Sequence, residues 1–143
     1  MRVSDILIAK GETVHRVSPD TSAHAAIANM VSHGVGSLLV TERERISGIF
    51  TERDYLRRVL LQDLDGRTVK VSDVMTTNII VVEPSRHVED CMAIMTQRRI
   101  RHLPVVDQGR LVGLISIGDL VKHLTREQEV EIRYLTEYIT GGR

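Results

Sequence analysis

The chain has 143 residues, 42% hydrophobic and 27% charged, a balance that supports one compact domain or two small ones sharing a core and excludes a disordered, collagen-like or coiled-coil chain. Nineteen Lys plus Arg against nineteen Asp plus Glu leave no net charge, so the basic excess that binding to nucleic-acid phosphates needs is missing. No apolar run approaches the ~20 residues of a membrane span, Met1 to Lys10 lacks the apolar core of a signal peptide, and the single cysteine, Cys91, has no internal partner; together these predict a soluble, cytoplasmic protein without nucleic-acid or membrane partners.

The chain repeats itself. A shift of 65 residues superposes Val17, Pro19, Ala28, Met30, Val40, Arg45, Gly48 and Asp54 on Val82, Pro84, Ala93, Met95, Val105, Arg110, Gly113 and Asp119 without a gap. A lead-in segment, Val3 to Leu7, matches Val71 to Met75 at a shift of 68 instead. Each copy then changes its hydrophobic period in the same order. Val14 to Val17 and Ile79 to Val82 read as short strands closed by Ser18-Pro19 and Glu83-Pro84. Ala23, Ala26, Ile27, Met30 and Val31, like Val88, Cys91, Met92 and Met95, recur at helical spacing and predict a helix with one buried face. Ser37 to Val40 with Ile46 to Phe50, and Leu103 to Val106 with Leu111 to Ile115, predict two strands joined by a polar turn. A closing helix starts near Thr51 or Ser116 and carries Leu56, Val59 and Leu60, or Leu120, Val121 and Leu124. The expected fold is α+β: two β-α-β-β-α units, each about 60 residues and too small to bury a stable core alone, packed with pseudo-two-fold symmetry.

This reading divides the chain into a first repeat over 1–65, a second over 66–124 and a C-terminal helix and tail over 125–143. Thr125-Arg126-Glu127-Gln128 has the form of a capping box that would start a separate helix, followed by a stripe of Val130, Tyr134, Leu135, Tyr138 and Ile139 and a stop at Gly141-Gly142. The stripe either completes the core or docks on another subunit.

Gly48-Ile49-Phe50-Thr51-Glu52-Arg53-Asp54 and Gly113-Leu114-Ile115-Ser116-Ile117-Gly118-Asp119 share the pattern Gly-x-x-Ser/Thr-x-x-Asp between a strand and a helix. With Val71-Ser72-Asp73-Val74-Met75-Thr76 and Arg101-His102-Leu103-Pro104-Val105-Val106-Asp107, the chain resembles a tandem pair of cystathionine beta-synthase (CBS) domains over residues 3 to about 124. The resemblance implies a regulatory module that binds adenosine ligands such as AMP, ATP, NAD, NADH or S-adenosylmethionine in clefts between the repeats. It also implies association into a dimer and signalling to a separate effector protein. The first repeat departs from the pattern, with Gly36-Ser37-Leu38-Leu39-Val40 where the second has Arg101-His102-Leu103-Pro104-Val105, so the two clefts are expected to differ.

A nucleotide needs three kinds of contact. Ribose hydroxyls suit a carboxylate, for which Asp54 and Asp119 are placed, with Thr51 and Ser116 as hydroxyl partners; the same residues also fit helix caps. Phosphate needs donors. A helix N-terminus supplies N–H groups, Gly118 allows close approach, and Arg101 and His102 offer side-chain donors. Arg53 is open to either reading, while Arg98 and Arg99 read as a solvated helix end. The base needs an apolar slot, which Thr77, Asn78, Ile79 and Ile80 with Ile100, Leu103 and Pro104 are placed to form, although Ile79 and Ile80 equally suit plain strand packing. Thr13, Val14 and His15 with Val35, Gly36 and Ser37 would form the counterpart in the first repeat. On this grouping the cleft using Asp119, with Arg101, His102 and Ser116, is expected to bind more tightly than the one using Asp54.

The six histidines show no metal-ligand spacing, and no nucleophile elbow, Walker-type loop or Gly-x-Gly-x-x-Gly occurs, so neither an enzyme nor a metal site is expected. Cys91 on an apolar helix face reads as an inert thiol. The leading expectation is a dimeric adenine-nucleotide sensor. The alternative is a constitutive dimeric interaction module whose clefts are degenerate.

Overall fold

The hydrophobic periods become the elements α1 (Val3–Lys10), β1 (Arg16–Val17), α2 (Ala23–His33), β2 (Ser37–Glu42), β3 (Arg45–Thr51) and α3 (Glu52–Tyr55), the last running into a π turn over Leu56–Leu60. The second copy gives α4 (Val71–Val74), α5 (Val88–Arg98), β4 (His102–Asp107), β5 (Arg110–Ser116) and α6 (Ile117–Ile139). This computed structural model describes residues 1–11 and 13–139, and leaves the side chains at 127, 130, 134 and 137–139 undescribed.

In the first repeat β1 pairs in parallel with β2, and β2 pairs antiparallel with β3. In the second, β4 and β5 form the matching hairpin, with the same register shift after Val105 that β2 shows after Val40. The strand expected over Ile79 to Val82 is reduced to one parallel bridge between Val82 and Val105. Ile79 and Ile80 are only half-buried, because the chain there leaves the sheet instead of packing into it. The α+β architecture and the two-repeat organisation are those expected.

Each repeat buries its own core, but the lead-in helices change places. Val3, Ile6 and Leu7 of α1 pack with Val82, Val88, Cys91, Met95, Leu103 and Ile115 of the second repeat. Val71 and Val74 of α4 pack with Ala26, Met30, Leu38, Phe50 and Val59 of the first. The exchange explains the glycines of the duplicated motif. A Cβ on Gly48 would lie 2.6 Å from Met75 Sδ and 2.8 Å from the Thr76 carbonyl oxygen, and one on Gly113 would lie 2.5 Å from Leu7 Cδ2.

A C-terminal helix is present, but no new helix begins at Thr125, because α6 runs through that residue unbroken. Once the first turn is capped at Ser116, extending the helix fixes one residue per added hydrogen bond, which a second cap need not assist. Of the predicted stripe, only Leu135 has a described side chain, and it is half-exposed; the side chains of Val130, Tyr134, Tyr138 and Ile139 and the stop at Gly141-Gly142 lie outside the described residues. Among the described residues no helix is long and apolar enough to cross a membrane.

Candidate functional site

Where the chain passes between repeats it leaves both sheets. Thr76 still pairs with Ile49 of β3 through two 2.9 Å hydrogen bonds, and the next pairing is Val82 with β4. Among the described hydrogen bonds none uses the backbone of residues 77–81. This stretch, through Asn78, Ile79 and Ile80, walls a cavity of about 720 Å³. The size and the mix of apolar wall with free main-chain groups suit a small molecule.

Two further parts of the chain complete the cavity. Ile100, Arg101, His102 and Pro104 line it from the end of α5 and the start of β4. Gly36, Thr51, Arg53 and Asp54 line it from the first repeat. Sequence reasoning grouped Arg101 and His102 with Ser116 and Asp119; His102 does pair opposite Ser116 in the β4–β5 register, while the cavity brings both residues together with Thr51 and Asp54. Ser116, Gly118 and Asp119 do not line this cavity.

Asp54 carries the helix start and faces the cavity at once. The Thr51 hydroxyl accepts from the Asp54 N–H and the Asp54 carboxylate from the Thr51 N–H, each at 3.1 Å. The Thr76 hydroxyl donates to Oδ1 at 3.0 Å, and Arg58 Nε stands 3.9 Å away. The Asp54 side chain is 11% exposed, so it is oriented by fixed partners before any ligand arrives. A carboxylate has roughly four acceptor positions, so the cap does not exhaust it.

Asp119 makes the same reciprocal cap with Ser116, at 2.8 and 3.1 Å, but has a different third partner. Lys10, at the end of the exchanged helix α1, donates to its Oδ2 at 2.7 Å and to the Leu114 carbonyl at 2.8 Å. Burial alone would raise the Asp119 carboxyl, but the hydrogen bonds from Lys10 and the Ser116 backbone outweigh it and hold it below its usual value. At the shift of 68, Asn78 stands where the first lead-in has Lys10. Asn78, a short neutral residue, therefore lines the first cleft, while in the second an ammonium is bonded to the carboxylate.

The remaining predicted residues lie elsewhere. Leu103 and Ser37 are buried within their hairpins, and Thr77 is exposed outside the cavity. Thr13 and Val14 do not line the cavity, and His15 stacks against His33 with ring centroids 4.1 Å apart. His102 is pushed below its ordinary value by burial first, with Lys10 and Arg101 adding to the effect, so at neutral pH it is a neutral hydrogen-bonding group. Burial raises the Cys91 thiol, which leaves it protonated.

Arg57, Arg58, Arg99 and Thr76 also line the cavity, and sequence reasoning missed them as site residues. Arg99 was read as a solvated helix end. It is exposed at that helix end, takes the left-handed position that closes α5, at φ 54° and ψ 44°, where the first repeat has Gly34 at φ 65°, and also borders the cavity. A non-glycine residue opposite a glycine in the repeat alignment was the available signal. Arg58 donates from Nη1 to the Met75 carbonyl at 2.8 Å, tying the closing helix to the crossing chain. Two i→i+5 bonds close that helix and the turn after it, Leu61 N to Leu56 O at 2.9 Å and Leu64 N to Val59 O at 3.0 Å. π turns of this kind are frequent at functional sites.

Two pseudosymmetric α+β repeats with a cleft at their junction define the class to which this chain belongs. The CBS domain family model matches residues 3–61 and 71–126, and the chain belongs to the CBS domain family, whose tandem pairs are regulatory, signal-transduction modules. It is 36% identical to the mitochondrial CBS domain-containing protein CBSX3 of Arabidopsis thaliana, over 98% of this chain and 72% of that one. A solved structure of a protein with CBS domains from Burkholderia ambifaria matches at 45% identity and TM-score 0.87, covering 90% of this chain and 96% of the other. A CBS domain protein from Pyrobaculum aerophilum, solved in complex with AMP, matches at 26% identity and TM-score 0.75, covering 83% and 89%. Among the described residues no group of three or more His, Cys, Asp or Glu side chains is placed to hold a metal.

Proposed function

We propose that the protein is an adenine-nucleotide-binding regulatory protein without catalytic activity of its own, whose ligand occupies the cleft between the repeats and changes how a dimer presents itself to a separate effector. The observation that carries this reading is the cavity that collects an oriented carboxylate, an apolar wall with unpaired main-chain groups and several arginines. In that arrangement Asp54 and Thr51 receive the ribose hydroxyls. Ile79, Ile80, Ile100 and Pro104 hold the base against the main chain of residues 77–81, and Arg101 and His102 meet phosphate. The AMP complex of a related CBS domain protein supports the ligand class. The reading reverses the expected order of the clefts, because Lys10 already occupies Asp119.

Regulation needs a ligand that favours one of two states. Arg58 offers the link, since it touches both Asp54 and the carbonyls of Val74 and Met75 on the crossing chain. The exposed Leu56, Leu60, Leu61 and Leu64 along and just after the π turn, with Val121 on α6, supply an apolar surface for a homodimer. The single buried thiol suits a reducing compartment, and the cytoplasm is the proposed location.

A thermal-shift panel with AMP, ADP, ATP, NAD, NADH and S-adenosylmethionine tests the reading. A ligand at ~100 times its dissociation constant adds about 2.7 kcal/mol if it binds only the folded chain, which moves the midpoint by several degrees. No shift with any of the six at millimolar concentration would leave the interaction module as the better reading.

A further inference from the structure

The arginines of the cleft are confined to one of two sites that the repeat makes comparable in backbone. Six lining positions carry Arg53, Arg57, Arg58, Arg99, Arg101 and His102. The shift of 65 places Gly118, Lys122, His123, Gly34, Gly36 and Ser37 at the corresponding positions of the other half. Five arginines thus face two glycines of α2's end and strand start, one glycine and two basic residues of α6, with no arginine among them. A helix surface evolving only for solubility has no reason to treat its two copies so differently.

The charges are also unspent. Among the described residues Arg58 is the one arginine of this set whose side chain has hydrogen-bond or ion-pair partners, at Asp54, Val74 and Met75. The guanidinium groups of Arg53, Arg57, Arg99 and Arg101, which also line the cavity, have neither among the described contacts. The carboxylates there are Glu52 and Asp54, and Asp54 is engaged by Thr51, Thr76 and Arg58. Arg99 in addition holds its left-handed backbone where glycine is easier, so its side chain is present against a local conformational preference. One phosphate engages one or two guanidiniums in forked pairs and leaves the others repelling each other.

We infer that this cleft selects a nucleotide with two or more linked phosphates over a nucleoside monophosphate, with Arg53, Arg57 and Arg99 counting the charge beyond the first phosphate, and that it rejects the sulfonium cation S-adenosylmethionine. The inference rests on the nucleotide reading above and names the ligand class within it. Arg101 and His102, beside the base slot, serve any phosphate; the other arginines are rewarded only by a longer chain of them.

Calorimetric titration of the full chain in magnesium-free buffer, with AMP, ADP, ATP, S-adenosylmethionine and inorganic tripolyphosphate, tests it. ATP is expected to bind at least about tenfold more tightly than AMP, with ADP between, since a single added charge-assisted contact accounts for that factor. In the double variant Arg57→Gln with Arg99→Gly the ATP-to-AMP ratio should fall to within about threefold, while circular dichroism shows an unchanged fold. AMP or S-adenosylmethionine binding as tightly as ATP overturns the inference and leaves the nucleotide reading standing. A ratio that survives in the double variant overturns the role given to those arginines. Tripolyphosphate matching ATP supports the charge count and removes the nucleoside from the reading, and no binding by any of the five overturns both.

Discussion

Arg99 brings the largest conflict between backbone and side chain in the cleft. Its left-handed conformation costs a non-glycine residue about 1–2 kcal/mol, partly offset because glycine gives up more freedom on folding. Arg99→Gly is therefore expected to stabilise the ligand-free chain by roughly 0.5–1 kcal/mol in urea unfolding while weakening nucleotide binding. A variant that is less stable than the parent would mean that Arg99 has a structural partner. At Asp54 the two effects run together. Asp54→Ala removes a capping box and the acceptor of the Thr76 hydroxyl, so it should cost roughly 1–3 kcal/mol of stability as well as the ribose contact. Asp119→Ala should cost stability but leave nucleotide affinity nearly unchanged. Calorimetry in which Asp119→Ala, and not Asp54→Ala, abolishes binding would return the site to the second cleft. Both aspartates were legible in the sequence because a motif occurring twice in register is hard to reach by chance. Which of them faces a free cavity was not legible, because that depends on Lys10, more than a hundred positions from Asp119 and brought beside it by the fold.

Among the elements, the exchanged lead-in helices decide how tightly the repeats are tied. Gly48→Ala drives a methyl group against a backbone carbonyl that cannot retreat, whereas Gly113→Ala meets the end of a Leu7 side chain that can rotate. The former is expected to cost roughly 2–3 kcal/mol and the latter about 1 kcal/mol in chemical denaturation. Equal costs would show that the α1 and α4 contacts are equally yielding. The Lys10–Asp119 pair joins α1 to α6 and carries a pH signature. A carboxyl held below its unfolded value stabilises the fold above that value and loses the contribution as pH falls through the folded one. Lys10→Met should therefore lower stability by less than about 1 kcal/mol at pH 7, since the pair is partly solvated, and the difference should shrink as pH falls below the ordinary carboxylate range. A difference that persists in acid would place the effect in α1 packing instead. The repeated element order was readable from hydrophobic period, which is local. The missing strand over residues 79–82 was not, because a β-branched run looks the same whether it pairs in a sheet or walls a cavity.

For the molecule as a whole, four leucines along and after the π turn are left in solvent, Leu61 at 73% exposure. Light scattering at micromolar concentration should return a mass near twice 16.1 kDa, and a mass near 16.1 kDa with and without nucleotide would refute the dimer. The neutral overall charge argues against a surface spread over a polyanion. It also concealed the arginine cluster, because a sum over the chain carries no information on where the charges gather. By itself the sequence determined the α+β class, the duplication, the helix-capping aspartates and the apolar faces, all of which follow from spacing along the chain. Only the tertiary structure decided that the lead-in helices cross between cores, that α6 runs on without a second start, and that Arg101 and His102 share a cavity with Asp54 while Lys10 claims Asp119. Those outcomes are contacts between residues far apart in sequence, where two copies of one motif compete for the same partners and packing space, not local pattern, chooses between them.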